Sequence, residues 1–360
     1  MIALQEYKLS GVALPSDPIW MLEEICEHFV EHAEVQRLDN FALLRNEAGL
    51  ASIRADAGKL LIELTAPTPL ALEMSRTDLA EHLFYFAGKE PFALEWSEPA
   101  QPLTLPNLHH VTVAGAEDIT PRMRRVKFSC ADVSPFVGGE MHVQLLVPPQ
   151  NRPPVWPSYR RDGRVNWPEG DDALLVRAYT IRAVDTERGE LWIDFLQHPA
   201  PGVETPGADF ARDAVPGMKV ALLGPSSGKL PEGDSIFLAG DEAALPAIAR
   251  IAEEASAGTR LQALIEVWDE SEEQELRSAA ALDIRWLHRK TYPDASQGTF
   301  AGEIKQALGA VDSQTYVWVA CEKQDVRAVR SFLKSRGHDR KAMYVAWYWE
   351  REAPAGSVSD

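Results

Sequence analysis

Three cysteines in 360 residues, Cys26, Cys130 and Cys321, are odd in number and far apart, so they form no disulfide framework. They fit a reducing compartment, and a cytoplasmic location is expected. No apolar run approaches the roughly 18 residues of a membrane helix, so no membrane insertion is expected. The start, "MIALQEYKLSGVALPS", has no basic stretch leading into a long apolar one, so no signal peptide is expected. Positive charge is also scarce: 36 Lys and Arg face 54 Asp and Glu, for a net charge of −18. Such a chain is a poor partner for nucleic acid, where phosphate neutralisation supplies most of the affinity. Anionic membranes and strongly acidic proteins are disfavoured for the same reason. The deficit is uneven, with 7 Lys and Arg against 17 Asp and Glu in residues 1–100, a contrast that marks a domain boundary.

What is present divides into three patterns. Residues 1–100 read as a small α+β domain. In "DPIWMLEEICEHFVEH" (17–32), Asp17 caps a helix, Pro18 suits its first turn, and Trp20, Met21, Ile25 and Phe29 share a face. "LALEMSRTDLAEHLFYFAG" (70–88) reads as a second helix, with strands between the two. The proline-containing stretch "WSEPAQPLTLPNLHH" (96–110) reads as a linker. Residues 107–228 carry short strand-like runs separated by Gly, Pro and Asp turns, which predicts an antiparallel β-barrel. Within them, "PPQNRPPVWPSYRRDGRVNWPEGDD" (148–172) is a long Pro-rich loop of the kind that is often functional. Residues 229–350 alternate apolar strands with helices, the pattern of a parallel α/β domain.

One strand of the barrel region departs from a core pattern. "VRAYTIRAVD" (176–185) sets Arg177, Tyr179, Thr180 and Arg182 where a buried strand would carry valines. A barrel followed by an α/β domain resembles the layout of ferredoxin–NADP-reductase-type flavoproteins, and Arg177-x-Tyr179-Thr180-x-Arg182 looks like their flavin-binding motif. The chemistry matches. A guanidinium suits the FAD pyrophosphate, an aromatic ring covers a flat isoalloxazine, and a hydroxyl meets the flavin edge or ribityl chain.

The ordered run "RAYTIRAVD…ELWIDFLQH…PGMKVALLGP…IFLAGDEAALPAIARI…VWVACEKQDVRAVRSFL…YW" resembles the siderophore-interacting protein family of FAD-dependent ferric-siderophore reductases, over roughly residues 107–350. The resemblance implies FAD as cofactor, NAD(P)H as electron donor with a redox partner protein as another candidate, and a ferric siderophore or similar ferric chelate as substrate. It places His198 near the FAD. It aligns "PGADFA" with the family's pyrophosphate turn, so that Ala208 and Phe210 stand where the family has Ser and Trp. It makes Gly240, Asp241 and Glu242 the first turn of the nicotinamide-binding domain, and it puts Cys321 where the family has glycine. Residues 17–96 resemble a small bacterial domain of unknown function.

Other candidates are weaker. His28 and His32 stand at i, i+4 on one helix, with Cys26 and His82 as possible company, but the pattern reads as a helix–helix contact and no metal is expected. "EVWDESEEQEL" (266–276) is acidic and would favour NADH over a 2′-phosphate. An anionic chelate needs a local cationic pocket in so acidic a chain. The basic stretches 121–128 and 158–164 are candidates, with Arg289, Lys290 and Arg164 the cations singled out. No residue is assigned as a catalytic acid or base, because outer-sphere electron transfer needs none. Two alternatives stay open: a general NAD(P)H:flavin or quinone reductase on the same fold, and a non-catalytic flavin- or siderophore-binding protein.

Overall fold

A computed structural model of the chain describes residues 6–30, 33–100, 105–197, 205–291 and 299–351. Two compact units emerge: Met1–Pro106 with Pro149–Leu174, and Asn107–Pro148 with Leu175–Asp360. The first begins with β1 (Tyr7–Leu14), α1 (Pro18–Phe29), β2 (Glu34–Leu38), β3 (Phe41–Asn46), β4 (Gly49–Asp56), β5 (Lys59–Ala66), α2 (Pro69–Ala87) and β6 (Ala93–Trp96). Its antiparallel sheet runs in the order β2-β3-β4-β5-β1-β6. The Asp17 carboxylate accepts from the amides of Ile19 and Trp20 at 2.9 and 3.1 Å, which satisfies donors that a helix start leaves open. The buried face of α1 is Met21, Leu22, Ile25, Cys26 and Phe29. Trp20, expected on that face, points outward and is 45% exposed. His28 and His82 meet ring to ring between α1 and α2, with centroids 4.5 Å apart. His32 lies outside the described residues.

The second unit starts with β7 (Leu108–Thr120), β8 (Met123–Cys130) and β9 (Glu140–Val147). The chain then leaves it. The Pro-rich stretch, read with the barrel in sequence, belongs to the first unit and carries a short ladder of β10 (Ser158–Tyr159) and β11 (Val165–Asn166). Polar groups of the N-terminal domain hold it: Trp96 Nε1 donates to the Asp162 carbonyl at 2.8 Å, and Thr77 Oγ1 donates to the Gly163 carbonyl at 3.0 Å. The Glu81 carboxylate accepts from the Val165 amide at 2.8 Å. Each bond covers a backbone group that a long loop would otherwise leave to water.

The chain returns with β12 (Leu175–Asp185), β13 (Glu190–Leu196), α3 (Pro206–Asp213) and β14 (Lys219–Lys229). These strands close an antiparallel barrel in the order β12-β13-β8-β7-β14-β9. Alternate residues fill its interior, among them Val126, Phe128, Val143, Ile181, Ile193, Phe195 and Leu222. Next come β15 (Ser235–Gly240), α4 (Leu245–Glu254), β16 (Arg260–Val267), β17 (Ala281–His288), α5 (Thr299–Gly309), β18 (Tyr316–Glu322), α6 (Lys323–Ser335) and β19 (Met343–Trp349). The sheet order is β17-β16-β15-β18-β19, all parallel, so the strand order reverses between β15 and β18. The central strands are apolar on both faces, as a parallel sheet covered by helices requires. No helix among the described residues is long and apolar enough to cross a membrane.

Barrel and parallel sheet are joined through α4. Arg250, only 1% exposed, donates to the carbonyls of Ile181 and Phe136, each at 2.9 Å, and pairs with Glu254 at 2.7 Å. Removing the guanidinium strands two buried carbonyls. Arg250→Ala is therefore expected to lower unfolding stability by about 3 kcal/mol, measured by denaturant titration. A loss below about 1 kcal/mol would mean that this tie is dispensable.

Candidate functional site

The motif strand β12 lies between β9 and β13 in the barrel wall. Among the described residues the Arg177 guanidinium bonds only the neighbouring Val176 carbonyl, at 2.8 Å, and it is exposed. No carboxylate partner is found for it among the described residues. Tyr179 packs its ring against Phe195, with centroids 4.3 Å apart. Its hydroxyl sits against Gly207 at the start of α3, so close that a β-carbon there would collide with it. Burial pushes the Tyr179 phenol up to about 12, with the Arg177 charge pulling weakly the other way, so it stays protonated. Thr180 is buried and stands directly across from His142 of β9.

Other expected site residues are occupied elsewhere. Arg182 pairs with Glu253 of α4 at 2.6 Å and serves the join between barrel and helix. Ala208 and Phe210 are both buried on α3. The Phe210 ring runs nearly parallel to that of Phe128, with centroids 6.4 Å apart, and packs in the barrel core. His198 lies outside the described residues.

At the carboxyl ends of β15 and β18, Gly240 is needed for close packing: a β-carbon there would press on the Ala320 carbonyl at 2.8 Å. Asp241 accepts from the Ala243 amide at 3.0 Å and from Trp349 Nε1 at 2.6 Å. Burial raises its pKa to about 7. Glu242 is buried and paired with Arg289, which also donates to Glu266 at 2.9 Å. Burial works against the Arg289 charge, but the two carboxylates outweigh it and hold its pKa above the ordinary range. Arg289 is thus spent on internal carboxylates and is not free for an anionic chelate. Lys290 pairs with Asp269 at 3.2 Å and remains mostly exposed. Arg164 belongs to the first unit, where it pairs with Asp162 at 2.8 Å and stacks on Phe84 with its guanidinium carbon 3.3 Å from the ring centroid.

The two stretches expected to act by charge are mostly neutralised. In 121–128, Arg124 pairs with Asp118, Arg125 with Asp194 and Lys127 with Glu117, while Arg122 lies over the Trp268 ring. In 266–276, Glu272 is buried and accepts from Thr120 Oγ1 and the Arg122 amide, at 2.5 and 3.2 Å. Glu273 meets His288 at 2.8 Å, and Asp269 caps the turn at Ser271. These carboxylates hold structure and leave little for selecting a nucleotide. Cys321 is fully buried in the apolar layer around β18, so its sulfur does not protrude from the strand end.

Sequence reasoning missed Arg250, His142 and Tyr348. The arginine interrupts the apolar run "LPAIARIA", and the histidine interrupts "MHVQLLVP". A charged or polar residue within an otherwise apolar run was the signal.

Two tests follow from this geometry. Gly207→Ala drives a methyl group into the Tyr179 hydroxyl and is expected to cost about 1–3 kcal/mol in denaturant unfolding, with Tyr179→Phe in the same chain recovering most of the loss. No recovery would show that the two residues do not touch. Asp241 binds its proton more tightly in the folded than in the unfolded protein. Its stabilising contribution is complete below its ordinary value of 3.8 and is lost as pH rises through about 7. Asp241→Asn should therefore gain stability relative to the wild type as pH climbs across that window. A difference that does not change with pH would place the Asp241 pKa in the ordinary range.

Comparison with known proteins accounts for this arrangement. Residues 112–229 match the family model described as siderophore-interacting FAD-binding domain, and residues 233–352 match the one described as siderophore-interacting protein. Residues 12–97 match an uncharacterized protein family conserved in bacteria. The crystal structure of a siderophore utilization protein from T. fusca is 30% identical, with a TM-score of 0.55 over 71% of this chain and 96% of that one. The siderophore-interacting protein SipS from Aeromonas hydrophila shares the fold, at 24% identity and a TM-score of 0.56 over 69% and 93% of the two chains. The ferric vibriobactin reductase of Vibrio cholerae is 29% identical over 214 residues, 58% of this chain and 76% of that one. An FAD-type barrel joined to a reversing parallel sheet, carrying the motif strand and matched in order by both models, belongs to the siderophore-interacting protein family.

Proposed function

We propose that the protein is an FAD-dependent ferric-siderophore reductase that releases iron as Fe(II). The observation that carries this reading is the uncommitted Arg177 beside Tyr179 and Thr180 on β12, within the stretch matched by the FAD-binding model. The residues fit the cofactor. Arg177 would meet the pyrophosphate, with several donors aimed from a rigid strand. Tyr179, fixed by Phe195 and Gly207, would cover a flat apolar ring. The Thr180 hydroxyl would supply a polar contact. Bound FAD supplies the exchange between a two-electron donor and a one-electron acceptor.

The name of the Vibrio cholerae relative supports the substrate class. Ferric siderophores hold Fe(III) through hard, often anionic oxygens, and the reduced ion is held by them far less well. Reduction is therefore release. Arg289 and Arg164 are tied to buried or half-buried carboxylates, and Arg177 is assigned to the pyrophosphate. Lys290, mostly exposed and paired only at the surface with Asp269, is the cation we retain for attracting an anionic chelate. NAD(P)H is the donor we propose, docking at the reversal between β15 and β18, where open α/β sheets receive their ligands.

The test is direct. Protein purified with excess FAD should show the visible flavin absorption, and NADH or NADPH should bleach it without oxygen. A ferric siderophore with an Fe(II) trap should then turn over. Arg177→Ala should weaken FAD binding roughly ten- to a hundredfold, the worth of one charge-assisted contact. Absence of flavin from the wild type would end the reading. Flavin that neither nucleotide bleaches would pass the donor role to a redox protein.

A further inference from the structure

The reversal of strand order in an open α/β sheet is where ligands enter, so its rim is normally open to water. Here it is covered. Gly240, Asp241 and Glu242 at the end of β15, and Cys321 and Glu322 at the end of β18, are all buried, although three of the five carry carboxylates. Buried acidic side chains need hydrogen-bond donors. Arg289 serves Glu242, and the last described residues after Tyr348 serve Asp241 and Glu322.

The register between β18 and β19 explains how they reach. Cys321 stands opposite Trp347, but Glu322 stands opposite Trp349, so Tyr348 is an extra residue in the outer strand. Such a bulge re-aims the side chains around it. The Tyr348 hydroxyl lies 2.6 Å from His142 Nε2 of the barrel, which anchors the bulge. Trp349 then points inward, and its Nε1 donates to Asp241 Oδ2 at 2.6 Å. An indole can only donate, so the direction of this bond is settled. Trp349 flanks β18 on one side and Asp241 follows β15 on the other. The indole therefore lies across the carboxyl end of β18, over the point of reversal. Two further contacts hold the segment down. The Arg351 amide donates to Glu322 Oε1 at 3.2 Å, and Lys323 pairs with Glu350 at 2.8 Å. Trp349 is itself 36% exposed and stands outside the apolar core, so it can swing away without dismantling what lies beneath.

We propose that Trp349 is a gate on the nicotinamide crevice and that Asp241 is the positioning residue that latches it shut. A nicotinamide nucleotide enters only after the bond between indole and carboxylate is broken. This rests on the reading that NAD(P)H docks at the reversal between β15 and β18. The apparent affinity is then the affinity of the open crevice reduced by the fraction of molecules that are open. A hydrogen bond to a carboxylate, made in a largely buried place, keeps that fraction small.

Calorimetric titration of the full chain with NAD⁺ and NADP⁺, which cannot reduce a flavin, reads that fraction both with and without FAD. Trp349→Phe keeps an aromatic ring and removes the donor. Asp241→Ala removes the acceptor. Each should tighten nucleotide binding about three- to tenfold. The double variant should gain little over either one. Asp241→Asn keeps an acceptor oxygen and should stay closer to the wild type than to Asp241→Ala. If Asp241→Ala folds poorly, Trp349→Phe carries the test. In protein labelled with 5-fluorotryptophan, the fluorine resonance missing from Trp349→Phe identifies Trp349, and it should shift as nucleotide saturates the wild type. Equal or weaker binding in the variants, or a Trp349 resonance unmoved at saturation, overturns the gate and leaves nucleotide docking intact. Failure of the wild type and every variant to bind either nucleotide overturns both.

Discussion

The catalytic unit depends on a charge placed where charge is expensive. Arg250 has almost no contact with water, and a guanidinium in that position must have its donors met. It meets them with Glu254 on its own helix and with two barrel carbonyls, one of them from Ile181, the residue after Thr180. A helix of the parallel sheet is thus tied to the backbone of the motif strand at the end of the motif. The same charge helps keep His142 neutral. One side chain thus links the helix to the motif strand and adds to the effect of burial on His142.

Elsewhere the chain manages a surplus of carboxylates by enclosing several of them with cations. Glu242 and Glu266 share Arg289, Asp194 holds Arg125, and Glu272 is spent on the turn between β7 and β8. Arg177, on the motif strand, has no carboxylate partner among the described residues, and its guanidinium meets only the neighbouring Val176 carbonyl.

Much of this was legible in the residues. Alternating runs in 107–228 and strand–helix alternation after 229 correspond to the barrel and the parallel sheet, because binary patterning carries the secondary-structure period. The motif Arg177-x-Tyr179-Thr180 lies on one strand, as its spacing demanded. Pairing across the chain was not legible. Arg182 looks like Arg177 in sequence, and only the arrival of Glu253 from α4 separates their roles. Arg289 likewise looks like a free strand-end cation until Glu242 and Glu266 converge on it. Phe210 occupies a motif position yet fills core space, because α3 turns that face toward Phe128. Side-chain partners depend on tertiary approach, which periodicity does not encode.

The excursion of the chain between β9 and β12 bears on how such proteins are assembled from parts. Val147 and Leu175, the last and first barrel residues around it, are partners across one strand pair. The two ends of the excursion thus lie side by side in the barrel wall, and residues 149–174 form one compact unit with the N-terminal domain, drawn from two separate stretches of chain. Cutting only at the proline-containing linker near residue 100 would leave the loop behind, with Asp162, Gly163 and Val165 deprived of the groups that satisfy their backbone. The boundary of this unit is therefore a matter of topology and not of the linker alone.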